Sequence, residues 1–217
     1  MARTLYTQPI IYSAIGNSLC QGYYVDVLSN RYTDKLTAML TADGRNVIQR
    51  NHGIAGWKVS DHIDANTASK VNAEVPNLIT VELGTNDSGS VTSDQFKTSL
   101  LALINALDRT NNPVIVLLST WGTGRDAYNQ AIKDVATTTG CIYVYISDLY
   151  TDSSNNGPAG VTGFFGTSDA FHPNTVGHPK IALRIYDAVK GILPFTVKRP
   201  IIPRTLVTRQ KVNHGLA

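Results

Sequence analysis

Short apolar runs alternate with longer stretches in which apolar positions recur every three or four residues, from residue 10 almost to the end of the chain. The runs have the length and β-branched content of buried strands, and the stretches between them carry helical spacing. Residues 10–15 read as a first strand. A helix over 30–42, stopped by Gly44, leads to a short second strand over 47–50. Residues 60–74 carry a weaker helical pattern, diluted by β-branched residues and asparagine. Residues 78–83 read as a third strand, and a helix from 93 to 109 sets Phe96, Leu100, Leu103, Ile104 and Leu107 on one face. Residues 114–118 are the most hydrophobic run and are expected at the centre of the sheet. A helix over 125–138, a strand over 142–146, a polar loop over 151–166 and a helix over 174–191 complete the pattern.

This alternation predicts an α/β fold with helices on both faces of a five-stranded parallel sheet, a three-layer α/β/α sandwich. The 217 residues fit one domain, placed at 1–194, with 195–217 as a basic C-terminal extension. The extension carries Lys198, Arg199, Arg204, Arg209 and Lys211 and no acid; removing those five from 19 basic residues leaves 14 against 16 acids. A solvated or strand-like extension is expected, with subunit contacts or an anionic surface as the alternative, and alternation in 195–199 and 206–212 permits further strands. No nucleic-acid motif or interleaved basic-aromatic surface accompanies it, so nucleic acid is not an expected partner. No apolar run reaches the roughly 18 residues of a membrane span. The first nine residues lack a signal-like apolar region, which leaves the compartment open between secreted and cytoplasmic. Cys20 follows the end of the first strand and Cys141 precedes the start of the last. A strand length of roughly 17–20 Å separates those edges, beyond disulfide reach, so two free thiols are expected.

Four motifs stand out: Gly16-Asn17-Ser18, Asn51-His52-Gly53-Ile54-Ala55-Gly56, Gly84-Thr85-Asn86-Asp87 and Asp169-Ala170-Phe171-His172-Pro173-Asn174. The first three closely follow strands. Open parallel sheets bind ligands outside the carboxyl ends of their strands, and Ser18, Gly56, Asn86 and His172 all fall in loops on that edge. A serine hydroxyl attacks only when a base takes its proton. His172 is the candidate base, and Asp169, three residues earlier, would fix its tautomer by accepting its Nδ1–H. The backbone N–H groups of Ser18 and Gly56 and the side-chain amide of Asn86 would then serve a developing oxyanion. Each motif has a bland alternative: glycine and serine crowd turns, Asn-Asp is an ordinary turn pair, and Asp169 and Asn174 suit capping. Only together, and in this order, do the four motifs point to a catalytic site.

These residues, in this order, resemble the SGNH hydrolases, or GDSL-like esterases and lipases, over roughly residues 9–190. The resemblance implies a flavodoxin-like sheet of order 2-1-3-4-5 and cofactor-free, metal-free hydrolysis of carboxylic esters through an acyl-serine. It matches Ser18 to the serine, Gly56 to the oxyanion glycine, Asn86 to the asparagine, and Asp169 and His172 to the Asp-x-x-His pair. The chain departs where the family usually has Gly-Asp-Ser, because Asn17 keeps an acceptor oxygen but lacks the charge.

Trp57 and Trp121 both follow strand ends on the same edge, and with Tyr23 and Tyr24 they are candidates to wall a cleft and stack on sugar rings. With no apolar lid helix in the pattern, short acyl groups such as acetyl esters on carbohydrates are the expected substrates. A lysophospholipase or thioesterase acting on longer chains, and a weakly active carbohydrate-binding or assembly module, are the alternatives. His52, His62, His178 and His214 match no zinc spacing, and Cys20 lacks a neighbour to activate its thiol.

Overall fold

Five parallel strands pair in the order β2-β1-β3-β4-β5, over Ile10–Gly16 (β1), Val47–Gly53 (β2), Leu78–Glu82 (β3), Val114–Leu118 (β4) and Ile142–Val144 (β5). The computed structural model describes residues 8–193; the expected boundary at 194 and the basic extension lie outside them. Within the strands, successive side chains point to opposite faces. Ile10, Tyr12, Ala14, Leu78, Val116 and Leu118 meet helices α2 (Tyr32–Ala42) and α7 (Gly177–Val189) on one face. On the other, Ile15, Ile79, Val81, Ile115 and Leu117 meet α5 (Ser93–Asn105) and α6 (Asp126–Thr139). Helices α3 (Val59–Asp64) and α4 (Thr67–Ala73) join this second layer through Val59 and Val71.

The register decides where the loops emerge. Gly16 lies opposite both Gly53 and Glu82, Glu82 opposite Leu118, and Leu118 opposite Val144. The carboxyl ends of all five strands therefore form one row, and strand order reverses between β1 and β3. A crevice is expected at such a switch point. A one-turn helix, α1 (Ser18–Gln21), sits directly on the ends of β1 and β2. It fits because of two glycines: a Cβ on Gly16 would fall 2.5 Å from the Cβ of Cys20, and one on Gly53 2.5 Å from the backbone N of Gln21.

Four expectations are corrected. The helix expected over 60–74 is two helices, broken at Asn66 in the left-handed region at φ 55°, a conformation that asparagine tolerates better than most residues. The middle of the sheet is β3; β4 is the next interior strand, between β3 and β5, because a hydrophobic run reports burial on both faces, which the two strands share, and not their rank in the sheet. The last strand stops at Val144, after which the N–H groups of Ile146 and Ser147 donate to the hydroxyl of Ser119. Part of the polar loop forms an antiparallel hairpin, β6 (Thr162–Gly163) and β7 (Gly166–Thr167). Cys20 and Cys141 are free, and no helix among the described residues is long and apolar enough to cross a membrane.

Candidate active site

Ser18 opens α1 at the carboxyl end of β1. Asn17 starts the turn by accepting the Leu19 N–H on its side-chain oxygen (3.2 Å), and Gly22 ends it in the left-handed region at φ 83°. The tertiary structure brings the Asp169 loop against this turn. His172 Nε2 lies 2.8 Å from the Ser18 hydroxyl, and His172 Nδ1 lies 2.8 Å from the Asp169 carboxylate. Since a carboxylate only accepts, Nδ1 carries a proton, and in the neutral ring the Nε2 lone pair therefore faces the serine. The second oxygen of Asp169 accepts the backbone N–H groups of Phe171 and His172 at 2.9 and 2.8 Å. Partial burial works to raise the Asp169 carboxyl, but the His172 and Phe171 hydrogen bonds prevail and hold it below the usual range. Asp169 is thus ionised and fixes both the ring and the loop that presents it.

That loop is pinned from behind. The indole N–H of Trp121 donates to the Phe171 carbonyl (2.7 Å). Asn174 accepts the N–H groups of Val176 and Gly177 and donates to the Ser154 and Asn156 carbonyls. Trp121 is fully buried, which corrects its expected place as a cleft wall: it has no face to offer a ligand. It ties down instead the Phe171 carbonyl, next to His172.

The expected oxyanion donors occupy the neighbouring loops. Gly56 is exposed and left-handed (φ 82°), a conformation that favours glycine, and no protein atom beyond its chain neighbours stands within 4 Å of where a Cβ would be. The N–H groups on either side of it are taken, Ala55 by the Gln21 side chain and Trp57 by the Ile54 carbonyl. Asn86 donates one amide hydrogen to the Trp57 carbonyl at 3.0 Å; its second hydrogen is uncommitted by that bond. Asp87, to which the sequence reading gave no role, stitches these loops together by accepting the N–H groups of Val59 and Gly84, both at 3.1 Å. Trp57 is partly buried, edge-on to the His62 ring. Tyr23 is partly exposed and 5.7 Å from the His172 ring. A groove of about 610 Å³ behind the Asp169 loop, bordered by Tyr150, Asn156, Pro158 and Ala170, includes neither Ser18 nor His172.

A hydroxyl, an imidazole and a carboxylate in a relay, on the rim of a 2-1-3-4-5 sheet, form a nucleophilic acyl-transfer arrangement. The sequence model of the GDSL-like lipase/acylhydrolase family matches residues 14–180. The chain belongs to the GDSL-like lipase/acylhydrolase family. Membership makes it a carboxylic ester hydrolase. Its fold is similar to that of a family 3 carbohydrate esterase of Clostridium thermocellum, at TM-score 0.69 and 18% identity over 86% of this chain and 100% of that one. It is also similar to a psychrotrophic esterase of Pseudoalteromonas sp. inhibited by monoethylphosphonate, at TM-score 0.67 and 17% identity over 83% and 97%. A third similar structure is an acetylxylan esterase of Geobacillus stearothermophilus, at TM-score 0.65 and 17% identity over 84% and 94%. No curated protein matches the sequence.

Against the Gly-Asp-Ser usual in GDSL-like hydrolases, Asn17 has a local explanation. Glu82, at the end of β3, is fully buried beneath it and accepts the Asn17 N–H at 3.4 Å. An aspartate at 17 would set a second carboxylate beside this one. Burial pushes the Glu82 carboxyl up to about 8, against the pull of hydrogen bonds from Asn17 and Cys20. The unfolded chain ionises this group near 4.5, so between the two values the folded state keeps a proton that the unfolded state has lost. Its stabilising contribution is fully present below the lower value and disappears as pH rises to about 8. The urea midpoint of Glu82→Gln is therefore expected to fall less steeply than wild type between about pH 5 and about pH 8. Parallel curves would show that Glu82 does not titrate in that window.

Proposed function

We propose that the chain is a serine esterase that removes short acyl groups, acetyl esters of carbohydrates foremost, through an acyl-serine intermediate. The observation that carries the reading is the pair of 2.8 Å contacts from His172 to Ser18 and to Asp169. Ser18 Oγ attacks the ester carbonyl while His172 Nε2 takes its proton, and Asp169 stabilises the imidazolium. The negative charge moves to the carbonyl oxygen, met by the N–H groups of Ser18 and Gly56 and the amide of Asn86. Losing one such donor typically costs around 3–4 kcal/mol. The tetrahedral adduct expels the alcohol, whose oxygen receives the proton from His172. Water then gives a proton to His172 and attacks the acyl-serine, and the second tetrahedral adduct expels Ser18 Oγ, which takes that proton back from His172 as the acid is released. Trp57, next to Gly56 and partly buried, keeps its place as a wall of the cleft.

The carbohydrate assignment draws on the sugar esterases among the similar folds. Two measurements test the proposal. A fluorophosphonate is expected to label the folded wild-type protein at Ser18, and absence of labelling would speak for a binding or assembly module. Across ethyl esters from acetate to dodecanoate, kcat/KM is expected to be highest at acetate and to fall with chain length. A strong preference for decanoate or dodecanoate would overturn the short-acyl reading in favour of a lysophospholipase or thioesterase.

A further inference from the structure

The β6–β7 hairpin ends on two adjacent aromatic residues, Phe164 and Phe165. It does not stand free of the site. Gly163 packs so closely on the segment after α1 that a Cβ there would come 2.8 Å from the Val25 carbonyl and 2.9 Å from that of Tyr24. The Phe164 N–H donates to the Val25 carbonyl at 2.6 Å. The base of the hairpin closes through Ser168, whose N–H donates to the Val161 carbonyl at 2.7 Å, immediately before Asp169. The hairpin therefore bridges the segment that follows the serine and the segment that leads to the Asp-His pair.

This bridge aligns a row of rings that begins at the base. Tyr24 meets the His172 ring edge-on at 5.0 Å and Tyr23 lies 5.7 Å from it. Tyr23 runs nearly parallel to Phe165, with centroids 6.2 Å apart and planes 13° apart, and Phe165 meets Phe164 edge-on at 4.9 Å. Phe164 is 57% exposed, and Val27 and Val161 are about half exposed. With Phe164 exposed and Tyr23 and Phe165 partly so, aromatic surface continuous with the imidazole stands open to a ligand.

The chemistry says which half of the ester it meets. His172 must hand its proton to the oxygen of the departing alcohol, so the alcohol lies on the imidazole side of the reacting carbon, and the carbonyl oxygen turns toward the donors after β2 and β3. We infer that Tyr23, Phe165 and Phe164 form a subsite for the alcohol half of the ester, and that this half is a pyranose ring whose C–H face lies on the aromatic row. The inference rests on the esterase reading above and adds the location and ring character of the alcohol site.

The test compares wild type, Phe164→Ala, Phe165→Ala and Phe165→Tyr on an acetylated methyl pyranoside, ethyl acetate and ethyl decanoate. Each Ala variant is expected to raise KM for the pyranoside roughly five- to tenfold, with ethyl acetate within about twofold of wild type, and Phe165→Tyr is expected to restore the pyranoside KM. Because the Phe164 ring is mostly exposed, its removal leaves the core intact, which guards against a folding artefact. Equal losses on pyranoside and ethyl acetate would mean that the row only braces His172, and unchanged constants would mean that it touches no substrate; either overturns the subsite. A loss confined to ethyl decanoate would assign the row to an aliphatic chain and overturn the sugar assignment. Wild type inert toward every ester would instead bring down the esterase reading, and the subsite with it.

Discussion

Replacing Ser18 with alanine is expected to lower kcat for acetyl esters by several orders of magnitude, on the order of 10⁴-fold or more, with the fold intact. The side chain is 7% exposed and small, and its hydroxyl makes its short contact with His172, so its loss removes the nucleophile and little packing. His172→Ala is expected to cost a similar factor. The Ser18→Ala/His172→Ala double variant should be no slower than the worse single one, because the base has no purpose without the group it deprotonates. Turnover of p-nitrophenyl acetate by the three variants, with circular dichroism as a control, decides the matter. Undiminished turnover in Ser18→Ala would remove Ser18 from the reaction, and multiplicative losses in the double variant would show that His172 does not act through Ser18.

The second large effect is on stability, at Trp121. The indole is fully buried among the α2/α7-side core, meets Tyr150 edge-on at 5.8 Å, and donates to the Phe171 carbonyl. Its own backbone N–H donates to the Thr85 hydroxyl at 3.0 Å, tying the loop after β4 to the loop after β3. Trp121→Ala is expected to destabilise the protein by about 3–5 kcal/mol through the cavity it leaves. Trp121→Phe keeps most of the volume, loses the hydrogen bond, and should cost about 1–2 kcal/mol by leaving the Phe171 carbonyl without its donor. If Trp121 steadies the histidine loop, Trp121→Phe also lowers kcat while KM holds. Urea unfolding and steady-state kinetics on one preparation check both parts, and an unaltered midpoint and kcat in Trp121→Phe would refute the bracing role.

Much of the architecture was legible because local patterns carry it. Buried strands must be apolar on both faces and amphipathic helices must repeat near 3.6, so β1, β3, β4 and β5 and the helices over 93–109 and 125–138 announce themselves within a few residues of their ends, while the partly exposed β2 shows only its apolar start at Val47 and Ile48. The break at Asn66 escaped that reading, since asparagine is tolerated in a helix and only its left-handed conformation stops one. The hairpin escaped because strands of two residues are too short to show alternation. Trp121 and Trp57 looked equivalent, each just beyond a strand end; burial against α7-side neighbours, which no local pattern records, separates them.

By itself the chain order determined the family, the α/β class, and the placement of Ser18, Gly56, Asn86 and His172 on one edge, since in a parallel sheet every loop after a strand emerges on the same side. Tertiary structure alone decided the rest. The distance from His172 to Ser18 depends on how a loop 154 residues away in sequence docks. The partner of Asn17 is a carboxyl from another strand, and the aromatic row beside the base exists only because Gly163 lets a hairpin close against Tyr24 and Val25. Such contacts are set by packing between segments that share no local pattern, so their geometry is fixed only when the whole core forms.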